Sequence, residues 1–141
     1  MIQRIQSLWL LAATIFTALT FKFPFYSGSK AAKPNAPLIP FEKLVASSNF
    51  LLLIFSATLI AGCLIIIFLF KDRKLQLNLT MAALALSIIN LIIYFFEIKK
   101  FTSGTISLSA IFALATPIFL FFACRGIWKD KKLVKDLDRL R

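Results

Sequence analysis

The stretch LVASSNFLLLIFSATLIAGCLIIIFLF, residues 44–70, contains no charged side chain and is long enough to cross a lipid bilayer. A helix needs about 20 apolar residues to span a hydrocarbon core of ~30 Å. After its polar start the run is continuously apolar rather than alternating, which favours a helix over a membrane-spanning strand. We therefore interpret residues 48–70 as a transmembrane helix with an interfacial turn before it.

Three further runs without charge occupy residues 5–21, 75–96 and 101–124. Charged residues make up 16% of the 141-residue chain, against about 25% in soluble domains. These features predict an all-α fold, an integral membrane four-helix bundle with spans near residues 5–23, 48–70, 75–96 and 104–124. The basic start of the first run is also typical of a secretory signal peptide, but FTALTFKFPFY offers no clear small-x-small cleavage site.

The basic residues indicate how the chain is threaded. One precedes the first run, three lie between the second and third, and seven follow the fourth, against six on the opposite side. Cytoplasmic segments carry the excess of Lys and Arg, so we expect both termini in the cytoplasm. The outer segment, residues 24–47, holds four of the five prolines and is predicted to be an irregular loop.

We therefore expect residues 1–124 to form the transmembrane domain and residues 125–141 to form a basic tail. The tail is predicted to be a cytoplasmic helix that extends span four. The tail has seven basic and three acidic residues, and a basic cluster beside a span attracts anionic lipid headgroups. The interspersed aspartates fit a specific contact with a protein partner better. Nucleic acid is not expected as a partner, since stacking aromatic residues and a known binding module are missing.

Several chemistries lack their usual residues. The chain has no histidine, the commonest general base and metal ligand. Apart from Lys22 at the end of the first, no Asp, Glu, Lys or Arg falls inside a predicted span, and such residues mark proton relays and ion pathways. The six acidic residues fall in loops or the tail and form no plausible acid–base pair. We expect no catalytic, cofactor-binding or metal-binding residues, and no enzymatic activity.

Polar and small residues follow one face of the third helix at spacings of 3, 4, 3 and 4: Thr80, Ala83, Ser87, Asn90 and Tyr94. Small and polar residues allow helices to associate in lipid. Asn90 needs a partner because a bare amide is costly in hydrocarbon; Thr14, Thr17 or another protein could supply it. The stripe is an internal seam, a docking face or the lining of a small polar cavity.

The fourth helix is predicted to carry a similar row formed by Thr105, Ser109 and Ala113, followed by Pro117. Proline has no N–H to donate to the carbonyl four residues earlier. We therefore expect Pro117 to bend this helix. In the turn before it, EIKKFTSGT, Gly104 is expected to be the flexible point.

Both ends of the chain, MIQRIQSLWLLAA (residues 1–13) and KDKKLVKDLDRLR (residues 129–141), resemble a family of small four-span Bacteroidetes proteins described as a domain of unknown function. The resemblance implies a bacterial inner-membrane location and a four-helix architecture, and brings no activity, ligand or catalytic residue with it. It directs attention to the two ends as candidate partner contacts: Gln3, Arg4, Gln6, Asp138, Arg139 and Arg141. Gln3 and Gln6 share one helical face, and we expect them to bond the tail.

The preferred function is a non-enzymatic accessory or scaffold subunit that presents its cytoplasmic helix to a protein partner. The alternative is a small transporter or lipid-handling protein with a polar path along the third helix. A water-accessible cavity at Thr17, Ser87 and Asn90 would favour transport, whereas a dry seam with an ordered projecting tail would favour the scaffold. A lipid-modifying enzyme is the least favoured reading.

Overall fold

The computed structural model describes residues 2–30, 41–69 and 72–139, with side chains for 5–29, 41–69 and 72–134. Four helices dominate these ranges, and each is long and apolar enough to cross a membrane. The prediction of four helices with the length and composition of membrane spans is confirmed. Their bounds are α1 Ile2–Lys22, α2 Phe50–Phe68, α3 Arg73–Ile98 and α4 Ala110–Arg139.

The fold also contains a small β-sheet, so the all-α prediction was wrong in this respect. Antiparallel strands pair in the order β2-β1-β3, and their bounds are β1 Tyr26–Lys30, β2 Phe41–Leu44 and β3 Phe101–Ile106. The connection predicted to be an irregular loop therefore contains two strands, although residues 31–40 lie outside the described ranges. Strand pairing satisfies backbone N–H and C=O groups that a bare connection would leave to solvent.

Two glycines face each other where β1 and β3 pair. Gly28 lies opposite Gly104, and a Cβ on Gly104 would stand 2.7 Å from the Cα of Gly28. Gly104 is thus a position of close backbone approach and not the flexible point of a turn. Hydroxyl contacts flank the pair, at 3.0 Å between Ser27 and Ser107 and 2.8 Å between Ser29 and Ser103.

The sheet also moves the start of the fourth helix. The predicted span began at residue 104, whereas α4 begins at Ala110. Thr105 is consequently in β3, and Ser109 lies in the turn before α4, where its hydroxyl donates to the Pro24 carbonyl at 2.5 Å. The predicted polar row on helix four is therefore wrong for Thr105 and Ser109, which both precede α4.

The strands lie in the α1–α2 and α3–α4 connections, at one end of the bundle that we call the sheet end. The opposite end, which we call the basic end, exposes Lys74, Arg125, Lys129 and Lys132. Large apolar side chains face outward along the helices, among them Leu11, Ile65, Ile92 and Phe121. Outward apolar surface on this scale is what a lipid environment requires.

Two buried apolar clusters fill the interior. One contains Phe25, Leu52 and Tyr94 near the sheet end, and the other contains Leu10, Leu59 and Leu120 nearer the basic end. Between them, each helix contributes a buried polar side chain. We call this set the polar layer: Thr17, Ser56, Ser87, Asn90 and Thr116.

Candidate functional site

One carboxylate joins three helices at the basic end. Gln6 Nε2 on α1 donates to Asp130 Oδ2 at 2.6 Å, and Arg73 Nη1 on α3 donates to the same oxygen at 2.8 Å. Asp130 on α4 is only 6% exposed. We call these three side chains the carboxylate junction. Charge-assisted hydrogen bonds of this length are roughly twice as strong as neutral ones, so the junction fixes where α4 leaves the bundle.

Gly126 makes room for the junction. It lies about one turn before Asp130 on α4, and a Cβ at this position would stand 2.9 Å from Cγ of Gln6. Gln6 packs closely against this glycine, and only 3% of its surface is exposed. The glycine thus lets the α1 side chain lie across α4 and reach the carboxylate.

A second buried carboxylate lies at the sheet end. Glu97, 9% exposed, accepts hydrogen bonds at 2.6 Å from both Asn49 Nδ2 and Lys100 Nζ. Asn49 also caps α2, since its Oδ1 accepts from the Leu51 N–H at 3.2 Å. Each end of the bundle is therefore tied by an acidic side chain that bonds residues from a neighbouring element or turn.

Neither carboxylate was predicted to be buried, because Glu97 was assigned to a turn and Asp130 to the tail. A signal for Asp130 was present: buried residues on α4 follow spacings of 4, 3, 4 and 3 up to it, namely Thr116, Leu120, Ala123, Ile127 and Asp130. A position that continues such a stripe faces the interior of the bundle. For Glu97, the spacing of three residues to Lys100 was the corresponding indication.

In the polar layer, Asn90 Nδ2 donates to Ser56 Oγ on α2 at 3.1 Å. The predicted partners on the first helix are wrong. Thr14 and Thr17 donate instead to carbonyl oxygens one turn earlier in α1. The error has a physical cause, because hydroxyl groups on several helices have equal chemistry and packing decides which one faces α3.

A small cavity adjoins the polar layer. Its volume is about 10 Å³, and all four helices contribute to its walls, including Thr17, Ser87, Asn90, Tyr94 and Thr116. Two buried atoms at this cavity, Asn90 Oδ1 and Tyr94 Oη, make no hydrogen bond within the described part of the chain. Thr20 and Ser56 lie near the Tyr94 hydroxyl without acceptable bonding geometry. The space suffices for about one water molecule, and a solute of larger size does not fit.

Tyr94→Phe is expected to leave the free energy of unfolding unchanged or to raise it by up to about 1 kcal/mol, because it removes a buried hydroxyl without a hydrogen bond. The ring stack on Phe25, with centroids 4.7 Å apart, is kept. Asn90→Ala, which loses the bond to Ser56, should lower the same quantity by about 1 kcal/mol. Reversible unfolding in mixed micelles measures both. If Tyr94→Phe lowers the free energy of unfolding as much as Asn90→Ala does, the Tyr94 hydroxyl has a hydrogen-bond partner in the membrane.

The candidate contacts from the sequence divide into three groups. Ser87 and Asn90 belong to the polar layer. Pro117 follows Thr116, another member of this layer, and α4 continues on both sides of the proline. Gln6 is in the carboxylate junction, where it meets the tail at Asp130. The remaining candidates lie outside the described side chains or residues: Gln3, Arg4, Asp138, Arg139 and Arg141.

Metal-binding chemistry finds no support in the described ranges, where no three His, Cys, Asp or Glu side chains come together. Both cysteines are free thiols, Cys63 buried and Cys124 half-buried. The absence of catalytic and cofactor-binding residues stays a prediction. What the geometry provides is structural: two carboxylates and a polar layer that fix the helices relative to one another.

The model of a family described as a domain of unknown function, DUF4293, matches residues 2–140. No curated protein and no solved structure matches the chain. The match covers nearly the whole chain, so the four helices, the sheet and the carboxylate junction all lie within the region that defines the family.

Proposed function

The chain belongs to the DUF4293 family, and we propose that it is a non-enzymatic accessory or scaffold protein of the bacterial inner membrane. In this proposal, the basic end faces the cytoplasm and presents the last turns of α4 to a protein partner. The Bacteroidetes origin implied by the two chain ends stays a prediction.

One observation carries the proposal: α4 is a single helix of 30 residues from Ala110 to Arg139, and the last buried residue among its described side chains is Asp130. Beyond that residue Leu133 and Val134 are 51% and 45% exposed. Lys132, beside them, is also exposed. A helix that is anchored at one point and then displays apolar side chains among cations offers a surface for a second helix.

The anchor itself supports this role. The carboxylate junction holds α4 against α1 and α3 immediately before the exposed turns, so the direction of the projecting helix is set by the bundle. A partner therefore meets a surface that is already ordered, which lowers the entropic cost of association. The excess of basic residues at the same end supports its cytoplasmic placement.

Transport is the weaker alternative. A path along the third helix would need continuous polar space, and the space beside Asn90 is about 10 Å³. That volume suits about one water molecule, and it lies between two apolar clusters. The small volume favours the scaffold over a solute pathway.

A photo-crosslinking residue in place of Val134 tests the scaffold in native membranes. We expect one reproducible protein adduct from this position. The control position is Ile92, 47% exposed on α3 and within the membrane-spanning region, where we expect only lipid adducts. If Val134 gives only lipid adducts or adducts with a second copy of the chain, the accessory role is rejected.

A further inference from the structure

A groove between α3 and α4 opens on the lipid-facing surface near the basic end. Its volume is about 370 Å³, within the range of sites for small ligands. Six residues line it: Leu77, Met81, Phe121, Cys124, Arg125 and Trp128. The groove is separate from the polar layer and from the exposed residues Leu133 and Val134 of α4.

The wall of the groove is apolar apart from one cation. Met81 and Phe121 are 56% and 54% exposed, so they present hydrocarbon surface to whatever fills the groove. Arg125 is exposed at its rim, and Trp128 is 64% exposed beside it. Indole rings favour the headgroup level of a membrane, which puts the arginine at the depth of lipid phosphates.

No acidic side chain in the described part of the chain pairs with Arg125. Asp130, five residues later, projects about 140° away around the helix and is engaged by Gln6 and Arg73 inside the bundle. Among the described side chains at the basic end, the exposed acid is Asp72, ahead of α3. Lys129, one turn beyond Arg125, is exposed on the same side of α4 but does not line the groove.

We propose that this groove binds one acidic phospholipid, with an acyl chain along Leu77, Met81 and Phe121 and the phosphate at Arg125. The charge of the rim supports an anionic headgroup, since a zwitterionic lipid brings an ammonium group for which the rim has no carboxylate. Each basic residue near the membrane surface contributes about 1 kcal/mol toward anionic lipid. This ligand goes beyond the proposed scaffold function and does not depend on it.

The two tryptophans of the chain allow a direct test by fluorescence quenching. In Trp9→Phe protein, Trp128 is the remaining reporter, and it lines the groove. The protein is reconstituted into phosphatidylcholine vesicles that contain brominated phosphatidylglycerol or, in a parallel series, brominated phosphatidylcholine. We expect the brominated phosphatidylglycerol to bind about fivefold more tightly, the ratio that about 1 kcal/mol represents.

Two controls separate a site from diffuse attraction. Arg125→Gln should abolish the preference, whereas Lys131→Gln removes the same charge about 120° away around α4 and should keep it. The reverse reporter, Trp128→Phe, leaves Trp9, which stacks on Phe119 at 5.7 Å and lies outside the groove. Trp9 should show no preference between the two brominated lipids.

A groove-filling variant tests the apolar wall independently of charge. Cys124→Phe keeps Arg125 and should weaken quenching of Trp128 by brominated phosphatidylglycerol at least fivefold. The proposal is overturned if the two brominated lipids quench Trp128 equally, or if Arg125→Gln and Lys131→Gln lose the lipid preference to the same extent. It is also overturned if inorganic phosphate abolishes the quenching by brominated phosphatidylglycerol. A disulfide crosslink between Cys124 residues of two chains in place of lipid quenching would also overturn it, because a second copy would then cover the groove.

Discussion

Asp130→Ala is expected to lower the free energy of unfolding by about 2–3 kcal/mol. The carboxylate accepts hydrogen bonds from Gln6 at 2.6 Å and from Arg73 at 2.8 Å. Its loss leaves a buried amide and a guanidinium without their acceptor. Removal of one partner from a fully buried pair costs 3–5 kcal/mol, and the 24% exposure of the Arg73 side chain reduces that figure through solvent screening.

Asp72→Ala is the matched control for this change. Asp72 lies at the same end of the bundle, is exposed, and makes no side-chain hydrogen bond to cap α3. Its replacement should change the free energy of unfolding by less than about 0.5 kcal/mol. Similar small changes in both variants, measured by reversible unfolding in mixed micelles, would show that the carboxylate junction does not stabilise the bundle.

Gly28→Ala is expected to lower the free energy of unfolding by about 2–3 kcal/mol. The added methyl group would meet the backbone of Ser103 and Gly104, at 2.8 Å from Cα of Gly104. Overpacking usually costs 1–3 kcal/mol, and here both neighbours are backbone atoms that do not rotate away. The strands β1 and β3 must separate to admit the methyl group.

Gly62→Ala provides the comparison. Gly62 lies within α2, and a Cβ there would meet nothing within 4 Å. Alanine is a better helix former than glycine by up to about 1 kcal/mol, so this variant should be as stable as the original chain or more stable. If Gly28→Ala behaves like Gly62→Ala in the same unfolding measurement, the close pairing of β1 with β3 is not the native arrangement.

The four helices could be predicted because lipid imposes a strict rule on sequence. A span without ionised side chains must satisfy its backbone internally, and four runs met that condition. The 3, 4, 3, 4 spacing on the third helix predicted one face, and all five of its residues are buried. Local periodicity was sufficient for these features, since each depends on residues within one helix.

The sheet and the Asp130 carboxylate depended on partners far away in sequence. YSGSK and FTSGT are short polar segments, and neither reads as a strand until the other lies opposite it. Gln6 and Asp130 are 124 positions apart, so charge clustering assigned the aspartate to a solvated tail. The position of Asp130 at the end of the buried α4 stripe could be inferred from residue spacing. That Gln6 donates to it could not, because only the packing of α1 against α4 brings the two together.

The glycine pair has a consequence for biogenesis. Gly28 comes from the connection that follows the first helix, and Gly104 from the one that precedes the last. Synthesis from the N-terminus therefore makes β1 and β2 before β3 exists, so Gly28 meets Gly104 only after residues 101–106 have been made. Until then β1 can pair on one side only, with β2, and the backbone groups on its other edge wait for β3.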